Sequence, residues 1–481
     1  MPKYIIVGAG PGGLFSARAL IKAGIPSTDI TILEKESVIG GKCYTYKDPT
    51  DHGLKAEYGA AMVAHNYGVV LDAIFEKNIT LEAPIPTQLN SVAFVRQFKQ
   101  YRLGRKIKFA ASFAKELMAY AWVVRQYNHI RDNDLPLPCE FELPFFEFAQ
   151  LKGLSKLNDL LRPVVTGFGY GAMQTCPTFL VIEYIGYTSI AGLLPAFFGK
   201  GPFYTVQGGF QGLMEALALD FHVVTHAEIT AIDRRNGVHV SYIHQGQAVD
   251  IAADYLILAV SPRQWSSLGI TQLTSIEKQC IDKLTYYRYP VAICKLKGYP
   301  AQQEFFEDSL QPDGFGRLAL ITTHDNRPNP IDGRLCTAYV NLKPGSTPYD
   351  FSRQGNDYND LIEQLASLPG VTGVELLDTA IWEDYMSFLP WELRCKLGSQ
   401  QFVENTHTGY VNSCLSFEDV ACVARQATQL VSKQFVHQRK KIEKSSLWSD
   451  LSRLQLLFYS TLQQPQTHSA TTRPLDKTET S

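Results

Sequence analysis

The sequence predicts an α/β fold: a mainly parallel sheet with crossover helices, interleaved along the chain with a mixed α+β domain. Three observations point to it. An apolar run, Tyr4–Val7, enters a glycine-rich turn and then a segment with apolar residues at helical spacing; a second apolar run, Ile30–Leu33, follows; a third, over residues 255–260, returns after a long excursion. Strand, helix and strand in that order make a parallel pair joined by a crossover helix.

The turn reads Gly8-Ala9-Gly10-Pro11-Gly12-Gly13. Gly8 permits the tight turn, Gly10 lets main chain approach a pyrophosphate, and Gly13 allows the helix to pack closely on the strand. The helix start offers free N–H groups and a partial positive charge to the same anion. Glu34 ends the second strand about 20 residues after the last glycine, where a carboxylate accepts hydrogen bonds from ribose hydroxyls. Its charge would repel a 2′-phosphate, which disfavours NADP. Together these features predict a Rossmann-type dinucleotide site.

Composition bounds the rest. The chain has 481 residues, 45% hydrophobic and 19% charged, enough for two or three packed domains. A net charge of −2, with Lys and Arg scattered, argues against a nucleic-acid partner. Nine cysteines lie far apart with no C-x-x-C pair, so no metal site and no disulfide framework is predicted, and the thiols read as reduced. The amino terminus runs almost directly into Tyr4–Val7 without a charged leader, and no apolar stretch approaches the ~18 residues of a membrane span. The expectation is a soluble, cytoplasmic protein with no transmembrane segment.

After Glu34-Lys35 come Gly40-Gly41-Lys42 and then Glu57-Tyr58-Gly59-Ala60-Ala61-Met62. Paired glycines let main chain approach a ligand, and a nearby cation suits its diphosphate. This pattern resembles the flavin-containing amine oxidase superfamily, which includes desaturases and isomerases. The resemblance implies FAD, wrapped from adenosine to flavin ring by Gly8, Gly10, Pro11, Gly12, Gly13, Glu34, Lys35, Gly41, Lys42, Gly59, Ala60, Ala61 and Met62. It continues through residues 207–213, through a β-rich stretch at 223–240 whose Ile229 matches a position near adenine, and through the strand at 255–260. Gly409 and Val411 match near the carboxy end. Tyr410 stands where the superfamily carries an acid, which implies looser FAD binding. The FAD-binding domain is thus expected from residues 1–66, 202–266 and 392–435.

Two excursions, 67–201 and 267–391, are expected to form the substrate domain. The first has helical periodicity over residues 108–127 and several short helices over 143–187; the second mixes strands and helices. Residues 167–171 come near a second glycine fingerprint but carry Ala172 in place of its last glycine, so no second nucleotide domain is expected. A flavin without one is reoxidised by oxygen or another acceptor, or returns its hydride to the substrate.

Over about residues 3–435 the chain also resembles the flavin-dependent polyunsaturated fatty acid isomerases. The matching stretches are Gly40-Gly41-Lys42-Cys43, residues 143–148, Phe168-Gly169-Tyr170-Gly171, Phe198-Gly199-Lys200-Gly201 and Phe417-Glu418-Asp419-Val420. The resemblance implies hydride abstraction and return at the flavin N5 on an unsaturated, lipid-like chain, with double bonds moved into conjugation. It also implies substrate contacts from Phe168, Tyr170 and Phe198, an aromatic that gates the carboxylate. The family arginine that partners this aromatic falls on Gln88 without a gap, or on Arg96 with one. That departure leaves esters, lipids and other unsaturated hydrocarbons open beside free acids.

Other residues stay open. Cys43 is either a reactive thiol or a small packed one, His52 and His65 lack metal-ligand spacing, and Lys295 and Lys297 lie on a strand-like stretch without showing whether either reaches a flavin. No catalytic side chain is assigned. In the tail, 436–481, a basic cluster precedes an amphipathic helix within 439–458. That helix docks on the protein's own body, a membrane surface or a partner, and a Ser/Thr/Pro-rich end reads as disordered. The rival readings are an amine oxidase or desaturase with an external acceptor, and a non-enzymatic flavoprotein with an interaction tail.

Overall fold

A computed structural model describes residues 1–51, 53–82, 87–88, 92–186, 203–347, 349–353 and 355–435. The tail helix, Phe198 and His52 lie outside them. Five strands form an all-parallel sheet in the order Thr408–Tyr410, Tyr255–Leu258, Tyr4–Val7, Ile30–Leu33 and His222–Val224. Tyr4–Val7 is buried throughout, as a strand covered on both faces must be. The helix Pro11–Lys22 covers one face together with Val420–Leu430; a three-stranded antiparallel sheet, Glu228–Asp233, Val238–His244 and Gln247–Ala253, belongs to the core on the other side.

The second large sheet has six strands in the order Gly373–Trp382, Tyr289–Lys297, Arg334–Val340, Leu318–Thr323, Gln303–Phe305 and Thr87–Gln88. Its pairings are antiparallel except the last. Helices Leu103–Asp132, Phe145–Lys152, Ser155–Thr166 and Thr178–Tyr184 build the rest of this half, and their buried aromatics share one core with Tyr289 and Tyr339 of the sheet. The helical period expected over 108–127 is therefore real but short of the observed helix at both ends. Among the described residues no helix is long and apolar enough to cross a membrane, and no cluster of metal ligands occurs.

Backbone contacts join the two halves. The hairpin Thr45–Lys47 and Lys55–Glu57 lies against the turn at 208–210: the Phe210 N–H donates to Glu57 Oε1 (2.9 Å) and Thr45 Oγ1 donates to Glu57 Oε2 (2.8 Å). The Thr337 and Tyr339 hydroxyls donate to the Glu57 carbonyl, and the Trp382 indole donates to the Tyr58 carbonyl. Gly209 is required at this crossing, because its φ is +83° and a Cβ would lie 2.5 Å from Thr45 Oγ1 and 2.7 Å from Glu57 Oε1. Gly209→Ala is expected to cost about 1–3 kcal/mol, seen as a lower Tm. Gly212→Ala, where a Cβ would meet nothing within 4 Å, should be neutral or stabilising; equal Tm values for both variants would refute the argument.

Candidate active site

Every strand of the parallel sheet ends at the same edge, where residues 7–12, 33–36, 259–261 and 411–413 open on one continuous cavity of about 750 Å³. Ligands of open α/β sheets bind at this edge, and the volume lies within the ~300–1,000 Å³ of cofactor pockets. The turn is closed by Gly8 N–H donating to the Leu33 carbonyl, 2.8 Å. Gly10 N-caps the helix Pro11–Lys22 with no side-chain partner, so the first N–H groups of the helix are left for an anion.

Three loops meet there with no room for side chains. A Cβ on Gly41 would approach Gly10 Cα to 3.3 Å, one on Gly12 would approach the Val411 carbonyl to 2.9 Å, and one on Gly40 would approach the Cys43 carbonyl to 2.5 Å. A cradle of bare main chain is what a diphosphate needs. Beside it, Glu34 Oε2 accepts from Ala9 N–H (2.7 Å) and Oε1 from Glu36 N–H (3.0 Å), which holds the carboxylate at the cavity wall. Ala227 N–H donates to the Glu34 carbonyl (2.8 Å), bringing Ile229 and Leu268 to the same end. The residues present fit a dinucleotide running from Glu34 toward Met62.

The far end is aromatic. Tyr385 stacks on Tyr289 (centroids 4.6 Å) and lies parallel to Tyr170 (5.9 Å); Tyr289 stacks on Tyr339 (5.3 Å), and Tyr184 stacks on Phe417 (4.7 Å). Phe168, Phe203 and Trp382 also line this end, while Phe417 packs behind Tyr184; Tyr67 and the carboxylates Asp384, Glu418 and Asp419 lie on the same cavity wall. Burial pushes the Tyr170, Tyr184, Tyr289 and Tyr385 phenols well above their usual range, so they stay un-ionised. Gly169, at φ +81°, and Gly171 lead the loop past Tyr289 and Tyr287, where a Cβ on either would meet a ring at 2.7 or 3.0 Å; Phe168 and Tyr170 line the cavity from this loop.

Of the residues singled out from sequence, Gly8, Gly10, Pro11, Gly12, Glu34, Lys35, Gly41, Lys42, Gly59, Ala60, Ala61, Met62, Ile229, Val411, Phe168 and Tyr170 line this cavity. Gly13 does not: a Cβ there would sit 1.9 Å from the Gly8 carbonyl, so it serves the helix-on-strand contact. Gly409 is also off the cavity, packed where a Cβ would meet Leu430 and Phe435 at 2.9 Å. Tyr410 faces the opposite side, against Trp265, and donates to Glu277 Oε1 (2.5 Å). Side chains alternate along a strand, and the cavity begins beyond its end, so of the expected Gly409 and Val411 it is Val411 that lines it, together with Asn412 and Ser413.

Lys42 needs a second correction. Its ammonium donates to the Asp384 and Tyr385 carbonyls (2.5 and 2.9 Å) and to Glu418 Oε1 (2.9 Å), rather than standing free for a diphosphate. Burial opposes the charge, but Glu418 and Asp384 outweigh it and hold the Lys42 pKa up. Lys295 is paired with Asp48 (2.8 Å) outside the lining, and Lys297 ends its strand exposed. Burial holds the Cys43 thiol well above its usual pKa, which makes it a packed group, not a reactive one. Gln88 pairs its backbone with Glu304 at the edge of the six-stranded sheet, and Arg96 is exposed on the helix Ala93–Gln100. Tyr289, Tyr339, Trp382 and Tyr385 went unnoticed in the sequence, since no local motif surrounds them.

The profile of an NAD(P)-binding Rossmann-like domain matches residues 6–77. Among solved structures, a CLA-producing fatty acid isomerase from P. acnes superposes with a TM-score of 0.71 at 21% identity, covering 90% of this chain and 99% of its own. Putrescine oxidase bound to putrescine gives 0.64 at 15% identity, covering 90% and 98%. The fold is amine oxidase-like. Among curated proteins, the FAD-dependent oxidoreductase dpchF of Colletotrichum higginsianum is 25% identical over 341 residues, 65% of this chain and 68% of the relative. The FAD-dependent oxidoreductase pigF of Monascus ruber is 25% identical over 325 residues, 64% and 65%. The chain thus matches about two thirds of the length of these relatives.

Glu57, at the join beside the cavity, carries a pH signature. Burial raises its carboxyl to about 7, against the opposing hydrogen bonds from Phe210 and Thr45. The folded state therefore holds this proton more tightly than the unfolded chain does. The contribution to stability is full below the ordinary carboxyl range and is lost as pH rises through about 7. Glu57→Gln keeps the shape of the protonated acid and is expected to flatten the fall in stability across that window, measured by denaturant unfolding at stepped pH. An unchanged slope would exclude Glu57 as its source.

Proposed function

We propose that this chain is an FAD-dependent enzyme that shifts double bonds along an unsaturated, lipid-like substrate, with the hydride leaving and returning to the same molecule. The carrying observation is the wall beyond the glycine cradle: un-ionised tyrosines, with Phe168 and Phe203, continuous with the nucleotide end of one cavity. The fold shared with a fatty acid isomerase and the relatives named FAD-dependent oxidoreductases support it.

The chemistry that FAD supplies when bound is reversible hydride acceptance at N5. The chain's own residues bind and shape. Gly10, Gly12 and the helix start receive the diphosphate, Glu34 the ribose, Ile229 the adenine side, and residues 59–62 the other end. The Lys42–Glu418 pair ties the 40–43 loop to the substrate side. The aromatic wall orients an alkenyl chain and excludes water, and its phenols stay un-ionised.

The test is anaerobic incubation of the FAD-loaded protein with a polyunsaturated fatty acid and, separately, its methyl ester. Growth of conjugated-diene absorbance with the flavin spectrum unchanged at the end is the expected result. A requirement for oxygen, or lasting flavin bleaching without isomerised product, would instead assign oxidase or desaturase chemistry. Glu34→Ala should weaken FAD by roughly thirtyfold, about 2 kcal/mol for lost hydrogen bonds to a charged group, in a fluorescence titration.

A further inference from the structure

We infer that the long helix of the substrate half docks this protein on an anionic lipid surface. The helix Leu103–Asp132 buries one face: Phe109, Tyr120, Val123, Val124, Tyr127 and Ile130. Its outer face is not polar. Leu103, Ile107, Met118 and Trp122 are exposed by 75%, 62%, 66% and 60%. At 3.6 residues per turn they lie within about 100° of one another, and Ala110, Ala111 and Ala114 fill the gap between them as exposed small residues. Large apolar side chains scattered singly need no explanation; a stripe of them along one helix does.

Charge selects the occupant. Leaving aside Arg131, which Asp132 and Glu183 hold at the helix end, Arg96 and Lys99 on the helix Ala93–Gln100, Arg102 between the two helices, and Arg105, Lys106, Lys108, Lys115 and Arg125 on the long helix make eight basic side chains over residues 93–125. Against them stands one acid, Glu116, which is buried and paired with Lys156 at 2.9 Å. The whole chain, by contrast, has a net charge of −2. Arg125 lies over the Trp122 ring, placing a cation at the end of the apolar stripe. Apolar residues flanked by Lys and Arg, with a tryptophan at the boundary, match a headgroup layer: the stripe enters the acyl boundary and the cations meet lipid phosphates and carboxylates. A polar protein surface would not reward the exposed Leu103, Ile107 and Met118, and an apolar one would not use the basic excess. The inner face of the helix belongs to the core that also holds Tyr170 and Tyr289 of the cavity wall, so docking sets the cavity half of the molecule on the membrane. This inference stands apart from the isomerase reading and survives its failure.

The full-length, FAD-loaded protein is floated with phosphatidylcholine vesicles, with and without about 30 mol% phosphatidylserine. Binding is expected only with the anionic lipid, falling at least about fivefold in ~0.5 M salt. Met118→Glu with Trp122→Glu should reduce the bound fraction at least about tenfold, while Tm and flavin absorbance stay unchanged, since both side chains point outward. Equal binding to both vesicle types, or binding that the double variant leaves intact, would overturn the inference. Concentration-dependent self-association abolished by the same variant, without vesicle binding, would also overturn it and assign the stripe to a second copy.

Discussion

The molecule rests on a meeting of three stretches of bare main chain. Residues 8–13, residues 40–41 and the Val411 carbonyl approach so closely that a methyl group on Gly12 would overlap the Val411 carbonyl and one on Gly41 would press on Gly10, while Gly13 and Gly40 leave no such room within their own turns. This contact fixes the angle at which the first helix leaves the sheet, and so where its unpaired N–H groups point. It also sets the path of the chain after the second strand, which carries Lys42 to Asp384 and Glu418 and Gly59 to Trp382.

The second half is positioned by polar ties to one short segment. The carbonyls of Glu57 and Tyr58 receive hydrogen bonds from Thr337, Tyr339 and Trp382, three side chains of the six-stranded sheet. A tyrosine wall built on this sheet is consequently referenced to the same loop that lines the nucleotide end. Tyr289 is further anchored by its hydroxyl donating to the Gly167 carbonyl (2.9 Å), and Asn341 by donating to Thr166 (2.7 Å). Buried phenols with satisfied hydrogen bonds form a rigid, neutral surface, where an unpaired one would be costly.

What could be read from the sequence was local. Gly8 to Gly13 and Glu34 announce themselves because backbone geometry admits few other residues at those places, and the strand-turn-helix order supplies the context. Phe168 and Tyr170 were legible through the glycines that alternate with them. Tyr289, Tyr339, Trp382 and Tyr385 were not, since they reach the cavity only through strand pairings spanning tens of residues, and an aromatic in a strand reads as core. Near residue 410, Gly409 serves a helix packing above the sheet and Tyr410 bonds Glu277 and Arg234 in the interior, while the cavity takes Val411 and the two residues beyond it. Lys42 lines the cavity, yet its acceptors come from residues more than three hundred positions away in the chain.

The edge strand Thr408–Tyr410 pairs with Tyr255–Leu258, which in turn pairs with Tyr4–Val7. The Val411 side of the cradle is therefore contributed from far along the chain, and the glycine turn meets its full set of neighbours only when that edge strand has paired. Contacts between segments so far apart in the chain form slowly beside local ones, which makes the cradle a late step of folding and not an early one.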